Sequence, residues 1–362
     1  MNAKLTPSVP PLRTYYIYLT GSCNMKCGHC GIDAKYYAND SICDFIDLSI
    51  IRQAIVEGIP LGLRTVKLSG GEPLLHPQCN EIVKIVNQFG RKIAIETNGV
   101  LLNQHIVDSL SASKIFFISV SLDGCNASTH DSLRGVKGCY DNAVRGIVLL
   151  VKAGIRPQVI FSVHRSNMSE IEETAHLAER LGCSSMKINL IHRIGRAKKN
   201  NSVEMLEFDD FYRLGIEVTS TIRKRVSMPV IYSWPLAFQP IDQLCHAGVS
   251  CNITTLLGIM PDGRMTICSY GEKYNSSGIF DYGMIGIDKV SDIWCEHPVL
   301  LKLRESIPEN LTGICRQCIF RVQCKGFCPV DNYIKDGELT TPFWFCDEAA
   351  NKGLFPKTRI IQ

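Results

Sequence analysis

Three cysteines near the N-terminus have the clearest chemical meaning in this sequence. Cys23, Cys27 and Cys30 are spaced C-x3-C-x2-C and directly follow an apolar run that predicts the first strand. A [4Fe–4S] cluster usually has four cysteine ligands, so three thiolates on one loop leave one iron with an open position. Such a position can bind a substrate. Cys43 is a candidate fourth ligand, but a polar loop separates it from the other three.

The number of cysteines and the absence of an export signal point to the same chemistry. The chain has 362 residues, 17 of them cysteine, and its Pro-rich segment 1–12 lacks the apolar core of a signal peptide. In a reducing compartment, clustered cysteines bind metal or react more often than they form disulfides. The net charge of +4 is too small to indicate nucleic acid or an anionic membrane as partner. We therefore expect a cytoplasmic protein.

Short β-rich runs alternate with amphipathic runs up to about residue 235. The predicted strands are Thr14–Thr20, Thr65–Ser69, Lys92–Thr97, Ile115–Ser121, Gln158–Val163 and Met186–Ile191. The predicted helices are Leu48–Glu57, Asn80–Phe89, Gln104–Leu110, Tyr140–Ala153, Ser169–Leu181 and Phe208–Arg225. Six βα units in series predict a parallel sheet with right-handed crossovers. Because eight units close a full barrel, we expect an α/β fold with a partial (β/α)6 barrel and a site at the C-terminal strand ends.

The alternating pattern breaks near residues 229–240, and a cysteine-rich tail follows. We predict a barrel domain over residues 1–235 and a small metal-held domain over residues 236–362. The tail thiols suffice for two four-cysteine [4Fe–4S] clusters or for two zinc sites, and their number alone leaves both open. These thiols belong to Cys245, Cys251, Cys268, Cys315, Cys318, Cys324, Cys328 and Cys346.

The segment Cys-Asn-Met-Lys-Cys-Gly-His-Cys at residues 23–30 resembles the signature of the radical S-adenosylmethionine superfamily. Its position after the first strand matches the partial barrel of that family. The resemblance implies that the open iron is chelated by the amino and carboxylate groups of S-adenosylmethionine. It further implies that an electron from the cluster breaks a C–S bond, which gives methionine and a 5′-deoxyadenosyl radical.

Further motifs follow successive predicted strands, as in that family. Gly70, Gly71 and Glu72 lie in Ser-Gly-Gly-Glu-Pro, which resembles the family motif that binds the methionine amine. Glycines let backbone approach a ligand closely, and a carboxylate suits an ammonium. By the same resemblance, ribose and carboxylate contacts are expected near the later strand ends, with Arg134 a candidate partner of the methionine carboxylate. The candidates there are Asn98, Ser121, Asp123 and Arg134.

The tail resembles the SPASM domain, a module that carries auxiliary clusters behind radical S-adenosylmethionine barrels. Carried over by position, one auxiliary cluster takes Cys245, Cys251, Cys268 and Cys328, and the other takes Cys315, Cys318, Cys324 and Cys346. The resemblance thus implies three [4Fe–4S] clusters in all. The remaining cysteines are expected to be small buried hydrophobes, with Cys125 and Cys139 the most interesting exceptions because they flank Arg134. These remaining cysteines are Cys43, Cys79, Cys125, Cys139, Cys183 and Cys295.

SPASM-type enzymes mostly modify genetically encoded peptides, so the resemblance implies a peptide maturase that oxidises, and in our main hypothesis cross-links, side chains. A sulfatase-maturating enzyme that forms formylglycine is the alternative. It is disfavoured because His29 and Gly31 stand where such enzymes carry aromatic residues, and because no Asp general base can be placed. Oxidation of a small molecule or haem precursor is a third hypothesis. A non-enzymatic metal-stabilised module fits poorly with a triad that leaves an iron open.

The partners implied are a precursor peptide or protein and a flavodoxin- or ferredoxin-type electron donor. The segment before the first strand is short, so we expect no peptide-recognition domain there. A precursor would then dock on the barrel mouth, on the tail, or through a separate recognition protein.

The cluster assignments lead to the first testable prediction. Anaerobic reconstitution should load about twelve iron atoms per chain, as three four-iron clusters. Replacing Cys23, Cys27 and Cys30 together by Ala should remove about four of them and abolish cleavage of S-adenosylmethionine, because the open iron disappears. Iron and sulfide analysis and chromatography of 5′-deoxyadenosine measure both effects. Zinc in the tail, or 5′-deoxyadenosine formed at the normal rate by the variant, would contradict the assignments.

Overall fold

A computed structural model of the chain describes residues 9–37, 44–113, 115–200, 203–246, 251–268 and 278–361. Its strands are β1 (Thr14–Tyr18), β2 (Ser22–Cys23), β3 (Lys35–Tyr36), β4 (Thr65–Ser69), β5 (Lys92–Thr97), β6 (Ile115–Ser121), β7 (Gln158–Val163), β8 (Ser185–Leu190), β9 (Val230–Tyr232), β10 (Leu256–Ile259), β11 (Arg264–Thr266) and β12 (Gly283–Met284).

The helices follow the strands along the chain. Those of the barrel are α1 (Leu48–Gly58), α2 (Cys79–Gln88), α3 (Gln104–Ser111), α4 (Ala127–Arg134), α5 (Cys139–Lys152), α6 (Ile171–Arg180), α7 (Gly195–Lys199), α8 (Phe208–Glu217) and α9 (Arg223–Arg225). Those of the tail are α10 (Val290–Glu296), α11 (Pro298–Ser306), α12 (Gly313–Gln317), α13 (Arg321–Cys324), α14 (Pro329–Asp336) and α15 (Trp344–Asn351).

One large sheet forms the centre of the fold, and it is an open barrel as predicted. Its strand order is β12-β11-β10-β1-β4-β5-β6-β7-β8-β9. All neighbours from β10 through β9 are parallel, and β10 pairs antiparallel with β11. Within the described ranges, β9 and β10 do not pair with each other, so the barrel is not closed. The carboxyl ends of the parallel strands therefore meet at one edge, where ligands of such sheets bind.

The predicted strands and helices are present with shifts of one or two residues at several ends, and the differences have local causes. Helix α4 was not predicted, although Asn126 caps its start by accepting a hydrogen bond from the Thr129 N–H and Gly135 ends it with a φ of 69°. The predicted single helix at 208–225 is interrupted by a π-helical turn at Val218–Ile222. There the Thr219 hydroxyl donates to the carbonyl of Gly215 at 2.8 Å.

The tail and the barrel share both the sheet and the core. Strand β10 comes from beyond residue 235 yet pairs with β1, so the sheet crosses the predicted domain boundary, which itself stays a prediction. The indole N–H of Trp294 donates to the carbonyl of Pro10 at 2.8 Å. No helix in the described part of the chain is long and apolar enough to span a bilayer.

An aromatic cluster joins helix α8 to the last helix of the tail. Phe211 is fully buried, and its ring centroid lies 4.7 Å from that of Phe345 and 5.4 Å from that of Tyr232. Aromatic rings at these separations bury large apolar areas and attract each other through their quadrupoles. The cluster therefore holds the tail against the barrel.

We predict that Phe211→Ala lowers the free energy of unfolding by about 3–5 kcal/mol, because it leaves a cavity at this junction. The matched control is Phe116→Ala, since the Phe116 side chain is 61% exposed and its loss should cost less than about 1 kcal/mol. Anaerobic chemical unfolding of the reconstituted proteins measures both. Equal costs for the two variants would show that the junction does not carry this stability.

Candidate active site

The cysteine loop, residues 22–36, follows β1 at the carboxyl edge of the sheet. Within it, β2 pairs with β3. The backbone N–H of Met25 donates to Cys23 Sγ at 3.4 Å, and that of Ala34 donates to Cys30 Sγ at 3.4 Å. Burial raises the pKa of the Cys23 and Cys27 thiols, and the neighbouring thiols of the triad raise it further. The structure therefore brings the three predicted thiols together on one side of this loop.

The Gly-Gly-Glu segment after β4 packs against the backbone of the cysteine loop. The Gly71 N–H donates to the Thr20 carbonyl at 2.8 Å, and the Glu72 N–H donates to the Ser22 carbonyl at 3.0 Å. A Cβ on Gly71 would lie 2.0 Å from the Ser22 oxygen, and one on Gly70 would lie 2.6 Å from the Thr20 oxygen. The contact between the two loops thus requires glycine at both positions, and the predicted contact of Gly70 and Gly71 with a ligand stays a prediction.

Glu72 is a carboxylate buried without a positive partner. It is 1% exposed, and it accepts hydrogen bonds from the Thr97 hydroxyl at 2.6 Å and from the N–H groups of Leu74 at 3.1 Å and Asn98 at 2.8 Å. Within the described part of the chain it makes no ion pair. Burial raises its pKa to about 7 despite these donors. Oε2 accepts only from Asn98 and keeps acceptor capacity for a cation.

Asn98 connects Glu72 to the cysteine loop. Its side-chain amide donates to Asn24 Oδ1 at 2.7 Å and lies 3.9 Å from Cys23 Sγ. Its own Oδ1 accepts from the Val100 N–H at 3.0 Å. Asn98 therefore orders the loop, and its predicted contact with the cofactor stays a prediction.

Arg134 and Asp123 form a buried ion pair beside the triad. Arg134 Nε lies 2.5 Å from Asp123 Oδ2, and Arg134 Nη1 lies 3.7 Å from Cys27 Sγ. Burial favours a raised pKa for Asp123, but the guanidinium outweighs it and holds that pKa well below its usual value. The other oxygen of Asp123 accepts from the Ser162 N–H at 2.7 Å. Both oxygens are thus occupied inside the protein, so Asp123 positions Arg134, and its direct contact with a cofactor stays a prediction.

Ser121 ends β6 at the same edge and is partly buried. In the described part of the chain Arg134 Nη2 makes no hydrogen bond, which leaves a donor free for a carboxylate. The ligand contacts predicted for Ser121 and Arg134 stay predictions.

Two elements that position the triad were missed by sequence reasoning. The carbonyls of Leu133 and Arg134, at the end of α4, accept from the Gly28 and Lys26 N–H groups at 3.0 Å. Arg196 Nη1 donates to the Cys27 carbonyl at 2.9 Å, and the Arg196 N–H donates to the Cys30 carbonyl at 2.8 Å. The Asn126 cap and Gly135 signalled the helix, whereas nothing in the local sequence marks Arg196.

A cavity of about 320 Å³ lies between the cysteine loop and the tail. His29 and Gly31 line one side, and Cys251, Phe327 and Cys328 line the other. The Nδ1 atom of His29 is buried and has no hydrogen-bond partner among the described residues.

A groove of about 720 Å³ adjoins this cavity and shares Leu190, Ile191 and His192 with it. Tail residues Ile334 and Trp344 line the groove together with residues from the barrel. His192 Nδ1 lies 3.2 Å from Asp331 Oδ1 of α14, so barrel and tail are in contact where the cavity and the groove meet.

The described tail thiols lie near one another within each predicted set, and the cluster assignment itself stays a prediction. Cys328 is partly buried, and desolvation together with the charge of Cys251 and Cys268 raises its pKa. The side chain of Cys245 lies outside the described residues. The second set lines one small apolar cavity: Cys315, Cys318, Cys324 and Cys346. Among the described side chains no three His, Cys, Asp or Glu residues could hold a single metal ion. A four-iron cluster needs a wider spacing, since each thiolate binds its own iron.

The remaining cysteines divide by burial. Cys79, Cys139 and Cys183 are buried as predicted. Cys125 departs from the prediction, because it is partly exposed and its thiol donates to Glu170 Oε2 at 3.2 Å. Cys295 is partly buried against the main core, and Cys43 lies outside the described residues.

Comparison with known proteins agrees with this site. The family model described as "Radical SAM superfamily" matches residues 17–178. The AdoMet-dependent heme synthase of Methanosarcina barkeri is 27% identical over 355 residues, which cover 91% of this chain and 94% of that protein. That of Nitratidesulfovibrio vulgaris is 30% identical over 339 residues, 88% of each chain. The subtilosin biosynthesis protein AlbA of Bacillus subtilis is 32% identical over 181 residues, 50% of this chain and 40% of AlbA.

Two solved structures share the fold over nearly the whole chain. SuiB of Streptococcus suis bound to its precursor peptide SuiA has a TM-score of 0.72 and 18% identity, over 92% of this chain and 75% of SuiB. The anSMEcpe structure with bound AdoMet and the Cp18Cys peptide has a TM-score of 0.69 and 15% identity, over 95% of this chain and 98% of that one. The matched model, the relatives and the shared fold together show that this chain belongs to the radical SAM superfamily, whose enzymes use S-adenosylmethionine and a [4Fe–4S] cluster.

Proposed function

We propose that Cys23, Cys27 and Cys30 hold the catalytic cluster and that Glu72 and Arg134 hold S-adenosylmethionine. The residues fit these groups. The Cys23 and Cys27 thiols are buried and have raised pKa values, so a bound metal would favour their ionisation. Glu72 has acceptor capacity for the methionine ammonium, and Arg134 has a free donor for the carboxylate. When bound, the two groups supply a 5′-deoxyadenosyl radical that removes one hydrogen atom from the substrate.

The tail thiols fit two auxiliary clusters of a SPASM-type domain. The described thiols of the two sets are buried or partly buried within the tail, and Cys251 and Cys328 line the same cavity as His29. Once a substrate in this cavity has lost a hydrogen atom, its net oxidation requires the loss of one further electron and one proton. A redox centre at this wall would be the nearest electron acceptor.

The function that this geometry supports best is oxidative modification of a peptide. The observation that carries the proposal is a pair of adjoining spaces: the cavity lined by the cysteine loop and the tail thiols, and a larger groove that shares Leu190, Ile191 and His192 with it. An extended chain can lie in the groove and place one residue beside His29. SuiB and anSMEcpe, which share this fold, have both been solved with a bound peptide.

Oxidation of a haem precursor is the second candidate function. The observation that favours it is the length of the match, because the two heme synthases align with 88% or more of the chain, whereas AlbA aligns with half. A cavity that continues into a wide groove also accommodates a flat macrocycle.

The role of Glu72 is tested by Glu72→Gln. This change removes a charge-assisted contact, so the affinity for S-adenosylmethionine should fall roughly 10- to 150-fold. The wild-type affinity should fall as the pH drops through about 7, because protonation neutralises the carboxylate. The variant should lose that part of the pH dependence. Equilibrium binding to the reconstituted enzyme measures both. Glu81→Gln, a change on the exposed face of α2, should behave as wild type; an equal loss there would refute the assignment.

The function itself is tested by incubating the enzyme with short peptides encoded beside its gene and with a porphyrin that carries propionate side chains. We expect one peptide to lose two hydrogen atoms per 5′-deoxyadenosine formed. A cross-link would suppress fragmentation between the joined residues, whereas formylglycine would react with hydrazines. Mass spectrometry distinguishes these products.

The control for this experiment is the Cys27→Ala variant, which should give no product. Turnover of the porphyrin with all peptides unchanged would overturn the peptide proposal in favour of the haem-pathway candidate.

A further inference from the structure

Four polar side chains on the inner face of the sheet line the cavity away from the cysteine triad. Lys187 and Asn189 lie two residues apart on β8 and therefore share a face. Ser162 is the register partner of Asn189 on β7, and Ser233 follows β9. All four line the cavity that also contacts His29. One ammonium, one amide and two hydroxyl groups thus converge on the space where a substrate would lie.

Within the ranges that the structure describes, the side chains of these four residues make no hydrogen bond and no ion pair. The Ser162 N–H donates to Asp123, and the Ser162 carbonyl accepts from the side-chain amide of Asn167. The Ser233 N–H donates to the Ile188 carbonyl. These bonds use backbone groups and leave both hydroxyl groups available. Convergent polar groups without partners in an otherwise formed cavity are typical of a ligand site.

Among the described residues, the carboxylate that acts on Lys187 is that of Glu96 on β5, and this carboxylate is already engaged. It pairs with Lys67 on β4 and accepts from the Tyr16 hydroxyl on β1. The tail contributes Cys251. Burial lowers the pKa of Lys187, and the charge of Lys67 lowers it further. A partly buried ammonium in this position is stabilised by an anion that the described residues do not supply.

We propose that Lys187, with Asn189, Ser162 and Ser233, binds a carboxylate group of the substrate. The proposal rests on the proposed function, since it takes this cavity as the substrate site. An acidic side chain or C-terminus of a peptide and a propionate of a tetrapyrrole present the same chemistry. The carboxylate accepts from the ammonium and the amide, and the hydroxyl groups complete its hydrogen bonds.

A competing role for Lys187 is to offset negative charge at the tail thiols, because Cys251 lies close enough to influence it electrostatically. The two roles predict different measurements. A substrate-binding lysine changes KM and the discrimination between charged and neutral substrates. A lysine that acts on the tail changes the reduction potential of a centre bound there.

The test compares Lys187→Met, Lys187→Arg and the surface control Lys84→Met, whose side chain is 62% exposed. With the substrate that the enzyme turns over, Lys187→Met should raise KM roughly 10- to 100-fold with a smaller change in kcat. Lys187→Arg should recover most of the affinity, and Lys84→Met should match wild type. Converting the carboxylates of the substrate to amides or esters should weaken binding to the wild-type enzyme. The same conversion should change binding to Lys187→Met only slightly, because that variant already lacks the partner of the carboxylate.

Experiments with altered substrates identify which substrate supplies the carboxylate. Acidic residues of the peptide are changed one at a time to Asn or Gln, while the porphyrin is compared with its methyl ester. An unchanged KM for Lys187→Met, with or without a shifted reduction potential, would reject the carboxylate site. If neither substrate turns over, the proposed function fails separately. In that case the carboxylate site is tested by acetylating Lys187 in the presence and absence of excess propionate. Slower acetylation with propionate supports the site, and an unchanged rate rejects it.

Discussion

The position of the three clustered cysteines depends on contacts between their loop and elements that are distant in sequence. Apart from the two residues of β2, the stretch that carries Cys23, Cys27 and Cys30 has no helix or strand before β3. Its backbone groups are satisfied by neighbours distant in sequence: the Gly-Gly-Glu segment, the end of α4 and Arg196. Buried backbone groups need such partners, so these contacts determine where the thiols lie. The glycines after β4 serve the same end, because any side chain there would force the two loops apart.

Buried charge organises the rest of the barrel mouth. Arg134 is paired with Asp123, and Lys67 is paired with Glu96. Glu72 and Lys187 make no ion pair within the ranges that the structure describes. Burial of a lone charge is costly, and proteins tolerate it where a ligand completes the pair. The two groups differ in sign and lie on different elements, Glu72 in the loop after β4 and Lys187 on β8, as expected if one serves the cofactor and the other the substrate.

The tail is part of the site as well as of the fold. It adds β10 to the sheet beside β1, packs its last helix on Phe211, and supplies the cavity wall that carries Cys251 and Cys328. The contact between His192 and Asp331 joins the two parts where the cavity opens into the groove. A substrate bound as proposed would touch both barrel and tail, so a change in how they pack would alter its position.

The strands, most of the helices, the open barrel and the cysteine motifs could be predicted from the sequence, because hydrophobic periodicity and ligand spacing are local properties. The superfamily follows from the same motifs. The ion pair of Asp123 with Arg134, the support of the cysteine loop by Arg196 and the place of Lys187 could not be predicted. Each joins residues on different elements, and such contacts exist only once the sheet brings those elements together. Local sequence determined which groups could do chemistry, whereas the tertiary structure decided which of them are buried, paired or left free to bind a ligand.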